Sequence, residues 1–467
     1  MTLLLVLAAC DSAALPAVLE GVTLTPDGEV SSVVRVAWDP AVEGTAWAEY
    51  GLEGTLGSRS PEAAADTLTL LGLKAGRRYD VVVHVTDADG VEWVSEAQTV
   101  ELAAAPTDLP LFTVSDVDAT AWEGDGFLLT SVISAGPSWV VIVDRDGDYV
   151  WWTAGEHGPI LGVRQSADRR RFTWMENNPG EAGTDGGART RAVDLSSDTL
   201  ARGVSAHHDA LELPDGRVAW IGYETRTLDL SGRSVTLTAD TILEADADST
   251  DEPTTRWSFF DDYPHGVWMV CHHANEEGYD QGAGDLTHGN SLMYDEAEDD
   301  FLFMGRNLDA LMRIDRGSGE LVSQIGGKYG EFSDVAGDTI DPDEAAEVDG
   351  PADTWWSHGH MSHWWDGGFA VFDNGYHHEG KQSRAVVYAY DEQARTVARG
   401  RTYESESHDF EGVLGDVKVL PGGNLLVVWT LTGVVEEVDP DGQVVWRASS
   451  ELGNTVGRAA YLESLYP

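Results

Sequence analysis

From residue 110 onward the chain alternates two kinds of hairpin, and that alternation limits the folds open to it. One kind is an apolar run, an Asp-Gly turn and a second apolar run ending in tryptophan. Examples are Val141-Ile-Val-Asp-Arg-Asp-Gly-Asp-Tyr-Val-Trp151 and Val438-Asp-Pro-Asp-Gly-Gln-Val-Val-Trp446, with Arg313-Ile-Asp-Arg-Gly-Ser-Gly-Glu-Leu-Val322 as a looser copy. The other kind opens on Leu-Pro-x-Gly, as in Leu213-Pro-Asp-Gly-Arg-Val-Ala-Trp220 and Leu420-Pro-Gly-Gly-Asn-Leu-Leu-Val-Val428. Asp and Gly close tight turns because they tolerate the backbone angles such turns demand. Two hairpins make four strands, and repeated four-stranded units are the blades of a propeller. Six units are legible, with starts near 127, 160, 208, 288, 360 and 409. In the long third unit, 245–287 reads as a loop crossing a propeller face, and the acidic, Gly/Asp-rich stretches 177–189 and 333–353 read as surface loops.

The fold class expected is therefore all-β: a six-bladed β-propeller over 110–467 and a small N-terminal β-sandwich over 19–103. The 51 glycines and 17 tryptophans suit many turns and large side chains between sheets. Sandwich strands are expected at Val33–Trp38, Trp47–Leu52 and Tyr79–Val85. The run Leu71-Gly-Leu-Lys-Ala-Gly-Arg-Arg-Tyr79 resembles the fibronectin type III signature, in which a leucine plugs the core and a tyrosine makes a corner. That resemblance implies a spacer or docking module, and no cluster of catalytic residue types lies within it. Ala103–Pro110 reads as the linker.

The net charge is -52, from 81 acidic and 29 basic residues. Such a surface repels nucleic acid and anionic lipid, and an anionic substrate would need a locally positive pocket. The start, Met-Thr-Leu-Leu-Leu-Val-Leu-Ala-Ala-Cys10, resembles a bacterial lipoprotein signal, without the positively charged residues that usually open one. Residues 1–18 are thus expected to serve as signal and tether, with Cys10 lipidated. The protein would be exported and held in the bacterial cell envelope, touching membrane only through its anchor. Cys271 is then without a partner and reads as a small buried hydrophobe, so no disulfide framework is expected. The Asp-x-Asp-Gly turns invite a calcium reading, but the full spacing ending in glutamate is missing, and turn formation accounts for them.

Histidines recur at one point of the repeat. His207-His208-Asp-Ala-Leu-Glu-Leu-Pro-Asp-Gly216, Thr287-His288-Gly-Asn-Ser-Leu-Met-Tyr-Asp295 and His358-Gly-His360-Met-Ser-His363-Trp-Trp-Asp-Gly367 each place histidine just before a strand. Units arranged around an axis would bring these rings into one pocket. Metal binding is one use, suggested by His272-His273 and by His358, His360 and His363, although no His-Glu-x-x-His motif occurs. Plain structural roles suit His84, His157, His265, His377, His378 and His408. Group transfer through a histidine nucleophile is the third use. Arg306 closes the second strand of the His288 unit and could reach the same face. Its planar fork suits a tetrahedral oxyanion such as sulfate or phosphate.

With these residues in place, the chain resembles the bacterial arylsulfate sulfotransferases, six-bladed propellers preceded by a small β-sandwich. The resemblance is carried by His208-Asp-Ala-Leu-Glu-Leu-Pro-Asp-Gly216, by His288-Gly-Asn-Ser-Leu-Met-Tyr-Asp295 with Gly305-Arg306, and by His360 with Phe372-Asp-Asn-Gly375. Ser383-Arg-Ala-Val-Val-Tyr388 and Gly433-Val-Val-Glu-Glu-Val-Asp-Pro-Asp-Gly442 match as well. It covers about 200–450 well and the first two blades weakly. It implies two-step transfer of a sulfuryl group from an aryl sulfate donor to a phenol acceptor, with no cofactor and no nucleotide donor. By the same resemblance His360 would be the nucleophile, and His208, His288 and Arg306 would bind the sulfuryl oxygens. Trp355, Trp356, Trp364 and Trp365 are candidates to stack on the aryl ring.

One departure from the family pattern stands out. Where relatives usually read His-Asp-Ala, this chain reads His360-Met361-Ser362, flanked by His358 and His363. Either neighbour could take the nucleophile's place. A non-catalytic binding propeller and a metal-dependent hydrolase are the competing readings, and a homodimeric state is left open.

Overall fold

A computed structural model of the chain describes residues 16–467 except 40–41, 65, 134–136, 157, 177–185, 203–204, 231, 267–283, 328, 335–355, 366, 377, 379 and 452–454. Cys10, Cys271, His157, His272, His273, His377 and Trp355 lie outside the described residues. The chain divides into two compact units at Ala105/Pro106.

In the N-terminal unit, alternating burial along Thr45–Leu52 and Arg78–Thr86 marks strands with one face on a core. These two pair antiparallel in the larger sheet. A three-stranded sheet of Thr23–Pro26, Val34–Ala37 and Thr67–Leu70 completes the sandwich. Leu73 is fully buried, and Lys74 donates its N–H to the Tyr79 hydroxyl at 2.9 Å. That bond fixes the turn into the longest strand of this unit. His84 stacks on Trp47 with ring centroids 3.9 Å apart.

The C-terminal unit is a six-bladed β-propeller. The innermost strands are Val456–Leu462, Val163–Gln165, Ala206–Glu212, Gly289–Asp295, His360–Trp365 and Asp416–Val419. Each touches the next, and the last touches the first, so the ring is closed. Closure is double. The C-terminal strand Val456–Leu462 pairs with Phe127–Val132 and becomes the inner strand of blade 1. The early strand Phe112–Ser115 pairs with Val444–Ser450 and becomes the outer edge of blade 6. The unit starting near 127 therefore lacks an inner strand of its own, a correction to the count of four contiguous strands. Cross-pairing of distant chain ends ties the ring together and covers two sheet edges.

Packing between blades uses the tryptophans. Trp151, Trp152, Trp174, Trp220, Trp257, Trp429 and Trp446 are all fully buried. The Asp-Gly turns work as local hydrogen-bond hubs: Asp144 accepts the N–H of Asp146 and of Asp148, and Asp439 accepts those of Asp441 and Gln443.

Blade 3 departs from the others. Its second and third strands, Arg217–Leu230 and Arg233–Asp246, are 14 residues each and pair along their full length. The expected face-crossing loop at 245–287 contains a fourth strand, Thr254–Ser258, a short helix, Phe259–Asp262, and the two-residue strand Gly284–Asp285, which pairs back onto the long hairpin. Residues 187–189, expected in a loop, belong to the strand Gly187–Ala192. Among the described residues no helix is long and apolar enough to cross a membrane.

Candidate active site at the inner-strand starts of blades 3 to 5

The inner strands of blades 3, 4 and 5 begin at the same end of the ring, and each begins irregularly. Pairing slips between His207 and Ala210, between Gly289 and Ser291, and between His360 and Ser362. Such bulges re-aim side chains away from the regular pleat. His208, His288 and Met361 take positive φ values of 55°, 46° and 56°. These are strained for non-glycine residues and are held by the surrounding contacts. The three histidines are not at one register: counted back from the first paired residue after each bulge (Ala210, Ser291, Ser362), His208 and His360 are equivalent and His288 stands one residue earlier, while His360 is itself paired and His208 lies within the bulge.

The slip does not separate the rings. His208 lies 5.1 Å from His288 and 6.0 Å from His360, centroid to centroid. His360 is 2% exposed, while His208 and His288 are half-buried. Enclosure, then the charges of His207, His288, His360 and Arg458, hold the His208 imidazole well below its usual value. Enclosure likewise depresses His360, helped by Arg458, Arg306 and His288.

Each ring has its own partner. Nδ1 of His360 lies 3.0 Å from the Gly415 carbonyl, which can only accept, so that nitrogen carries the proton. Nε2 of His360 is buried and has no hydrogen-bond partner. Nδ1 of His288 faces the Asp285 carboxylate at 2.8 Å, and the His288 N–H donates to the other Asp285 oxygen at 3.0 Å. Burial would raise Asp285, but the hydrogen bond and charge of His288 outweigh it and lower its pKa. Nδ1 of His208 meets Nδ1 of His207 at 2.7 Å.

Arg306 opens a 3-10 turn, Arg306–Leu308, between the second and third strands of blade 4. Its N–H donates to the His288 carbonyl at 3.3 Å, so the two residues are tied through the backbone. The guanidinium is buried, donates to the Gly412 carbonyl at 3.3 Å, and sits 5.9 Å from the Tyr376 ring. The structure thus brings His208, His288 and His360 together, with Arg306 close enough to disfavour protonation of His360.

The two alternatives to His360 are placed differently. His363 uses Nδ1 to accept the Val419 N–H at 3.0 Å, and burial beside Lys418 and Arg164 pushes it down to about 3. His358 donates its N–H to Asp309 at 2.6 Å, and its ring lies 5.2 Å from Tyr376. The described tryptophans of the candidate set, Trp356, Trp364 and Trp365, are not at the cluster. Trp356 packs edge-on against Phe369 and Tyr388 in the blade 5 core. Trp364 and Trp365 end the His360 strand, roughly 13 and 16 Å from its start at ~3.3 Å per residue. There they line a separate cavity of about 700 Å³ with Tyr294, Tyr390 and Arg313. The aromatic ring beside Arg306 is instead Tyr376, and Phe410 lies 5.6 Å from that ring.

Several supporting residues were not singled out from sequence. Asp209 follows His208 and is buried, with Arg164 at 2.7 and 3.1 Å, Arg458 at 2.6 Å and the Leu292 N–H at 2.6 Å. These partners overcome burial and keep it ionised. Gly415 has φ 91°, and a Cβ there would fall 2.2 Å from the Phe372 ring. Only glycine can present this carbonyl to His360 without displacing Phe372. Asp285 stands three residues before His288, a spacing readable in the sequence. His378 pairs with Asp373, and Arg384 shares that carboxylate, an interior role. His408 and His265 stack on Trp429 and Tyr329. Among the described residues, three metal-ligand atoms approach within 4.8 Å of one another only at Asp144, Asp146 and Asp148, remote in sequence from the histidine cluster.

A closed six-bladed ring with imidazoles and a guanidinium gathered at adjoining strand ends defines a propeller of enzyme type. The family model for Arylsulfotransferase (ASST) matches residues 112–453, and the chain belongs to that family. It is accordingly a sulfotransferase, with small aryl sulfates and phenols as its substrate classes. No curated protein matches the sequence. Similar solved structures include a protein of unknown function from Bacteroides caccae, with 13% identity, 73% of this chain and 100% of that one covered, and a TM-score of 0.43. A putative 6-phosphogluconolactonase from Bacteroides fragilis has 12% identity, covers 73% of this chain and 99% of its own, and has a TM-score of 0.38. A streptogramin B lyase has 10% identity, covers 75% and 98%, and has a TM-score of 0.38.

Proposed function

We propose that the protein moves a sulfuryl group from an aryl sulfate to a phenol through a sulfated His360, without a nucleotide donor. The observation that carries this reading is the state of His360: proton on Nδ1, lone pair on a buried, unpartnered Nε2. In the first half, Nε2 attacks sulfur and the bond from sulfur to the aryl oxygen breaks, releasing a phenolate. In the second half, the acceptor's oxygen attacks sulfur and the bond from sulfur to nitrogen breaks. His288, with Asp285 beside it, can carry positive charge. That imidazolium and the Arg306 guanidinium would face the sulfuryl oxygens, where negative charge concentrates. His208 completes the set. Tyr376 and Phe410, rather than the tryptophans, would hold the aryl ring.

The N-terminal unit is read as a fibronectin type III-like spacer over 19–103, on the Leu73 plug and the Lys74–Tyr79 corner bond. The sequence Leu7-Ala-Ala-Cys10 supports export and lipid anchoring in the cell envelope.

The test is incubation with 4-nitrophenyl sulfate and phenol in the presence of a chelator. Release of nitrophenol and formation of phenyl sulfate are expected from the wild type, with both lost in His360→Ala. Undiminished turnover by His360→Ala would sink the assignment, and strict dependence on added zinc would favour a metal-dependent hydrolase.

A further inference from the structure

Behind the ring of His208 stands a second imidazole and behind that a carboxylate. Nδ1 of His207 is 2.7 Å from Nδ1 of His208. Nε2 of His207 is 2.9 Å from Asp240 Oδ1, an ion-pair contact rather than a straight hydrogen bond. Asp240 is buried and itself held: its N–H donates to the Thr287 hydroxyl at 2.9 Å, and its other oxygen accepts the Gly289 N–H at 2.5 Å. A Cβ on Gly289 would fall 2.8 Å from that oxygen, so glycine after His288 keeps the approach open. Asp240 comes from the long hairpin of blade 3, opposite Tyr223, whose ring lies 5.2 Å from His207. Among the described residues, other charged or titratable groups that act on this cluster include Asp285, His288, His360 and Arg458. Direct sulfuryl transfer at His360 has no need of His207 or Asp240.

We infer that Asp240, His207 and His208 form a proton relay that serves the acceptor phenol. The inference rests on the sulfotransfer reading given above. In the sulfated enzyme, between the two halves, the Asp240 carboxylate keeps the His207 proton on Nε2. Nδ1 of His207 then accepts from Nδ1–H of His208, which leaves the lone pair of His208 on Nε2. As the phenol oxygen attacks sulfur on His360, its proton passes to Nε2 of His208. The Nδ1 proton of His208 moves to Nδ1 of His207, and the resulting imidazolium is balanced by Asp240. In the next turnover the shifts reverse, and Nε2–H of His208 protonates the departing phenolate. One proton enters and one leaves per cycle, so no outside acid or base is consumed. His207 and Asp240 act through His208 and are positioning residues.

The experiment uses His207→Gln and Asp240→Asn, which keep hydrogen-bonding groups in place but cannot carry the proton. Stopped-flow mixing with 4-nitrophenyl sulfate alone reads the first half as a burst of nitrophenolate, a leaving group that needs no proton. The burst rate is expected to stay within about twofold of wild type, which also shows the variants are folded. Transfer onto phenol, whose hydroxyl ionises at about pH 10, is expected to slow about 100-fold. Transfer onto a phenol acidic enough to be ionised at the assay pH is expected to recover to near the wild-type rate. Equal slowing for acidic and weakly acidic acceptors overturns the relay, as does unchanged transfer onto phenol. Loss of the burst along with transfer in both variants also overturns it. A wild type that shows no burst at all counts against the sulfotransfer reading itself, a result separate from these.

Discussion

Two regions of the site, the inner-strand starts of blades 4 and 5, use the same side chain with opposite electrical settings. At blade 5, Nδ1 of His360 is bonded to the Gly415 carbonyl, a neutral dipole, and the ring is enclosed near Arg458 and Arg306. That setting favours the uncharged ring. At blade 4, Nδ1 of His288 is bonded to the Asp285 carboxylate, a full negative charge in place of a neutral dipole. Burial keeps the His360 ring neutral against the opposing pull of its Gly415 bond, whereas His288 has a full carboxylate as its Nδ1 partner; under the proposed function that difference divides the roles. A nucleophile needs the neutral form, and an oxyanion donor gains from the cationic one. Under the proposed function, exchanging those settings should damage each half in its own way.

The largest effect is expected on the blade 4 side. Asp285→Asn leaves an acceptor for His288 but removes the negative charge, and should lower kcat about 100-fold, the scale of losing one preorganised oxyanion donor. KM for 4-nitrophenyl sulfate should change less. A kcat within about twofold of wild type would show that His288 contributes no charge to the transition state. A smaller effect is expected on the blade 5 side. Gly415→Ala forces Phe372 aside and moves the carbonyl off His360, so kcat should fall about tenfold and stability by roughly 1–3 kcal/mol from overpacking. Unchanged kcat with reduced Tm would mean the carbonyl does not orient the nucleophile.

How much of this was readable in the sequence depends on the range of each interaction. The blades were legible because a hairpin is a local object, and Asp144, Asp439 and the Leu-Pro-x-Gly turns announce themselves. The closing strands were not, because neither Val456–Leu462 nor Phe112–Ser115 signals which distant sheet it completes. The histidines were legible as a set, since each stands at the start of an inner strand, although only His288 precedes its strand while His208 and His360 lie within theirs. The one-residue offset of His288 was hidden, because it arises from bulges that pairing imposes. Asp240 and Gly415 were invisible as partners: each reaches the cluster from a strand or turn remote in sequence. The tryptophans were misplaced for the opposite reason. Trp364 and Trp365 are close to His360 in sequence, but an extended strand carries them to the far end of the blade.

The smallest effect concerns stability alone, at the seam between blades 4 and 5. Asp309 follows the Arg306 turn and receives the His358 N–H, and burial pushes its carboxyl up to about 7. Below that value the folded protein binds a proton that the unfolded chain, with the usual carboxylate value, releases. This group therefore opposes folding above about pH 7, and the penalty fades as pH falls toward 4. Asp309→Asn keeps the acceptor and removes the charge, so its Tm advantage over wild type should be larger at pH 8 than at pH 5. An advantage independent of pH would contradict the assignment.

The central claim is that His360 becomes covalently sulfated, and intact-mass analysis after addition of 4-nitrophenyl sulfate without acceptor tests it most directly. The account predicts an adduct of ~80 Da, mapped by peptide fragmentation to His360 and discharged by phenol. An adduct on His358 or His363, or turnover with no covalent species at any time, would contradict it.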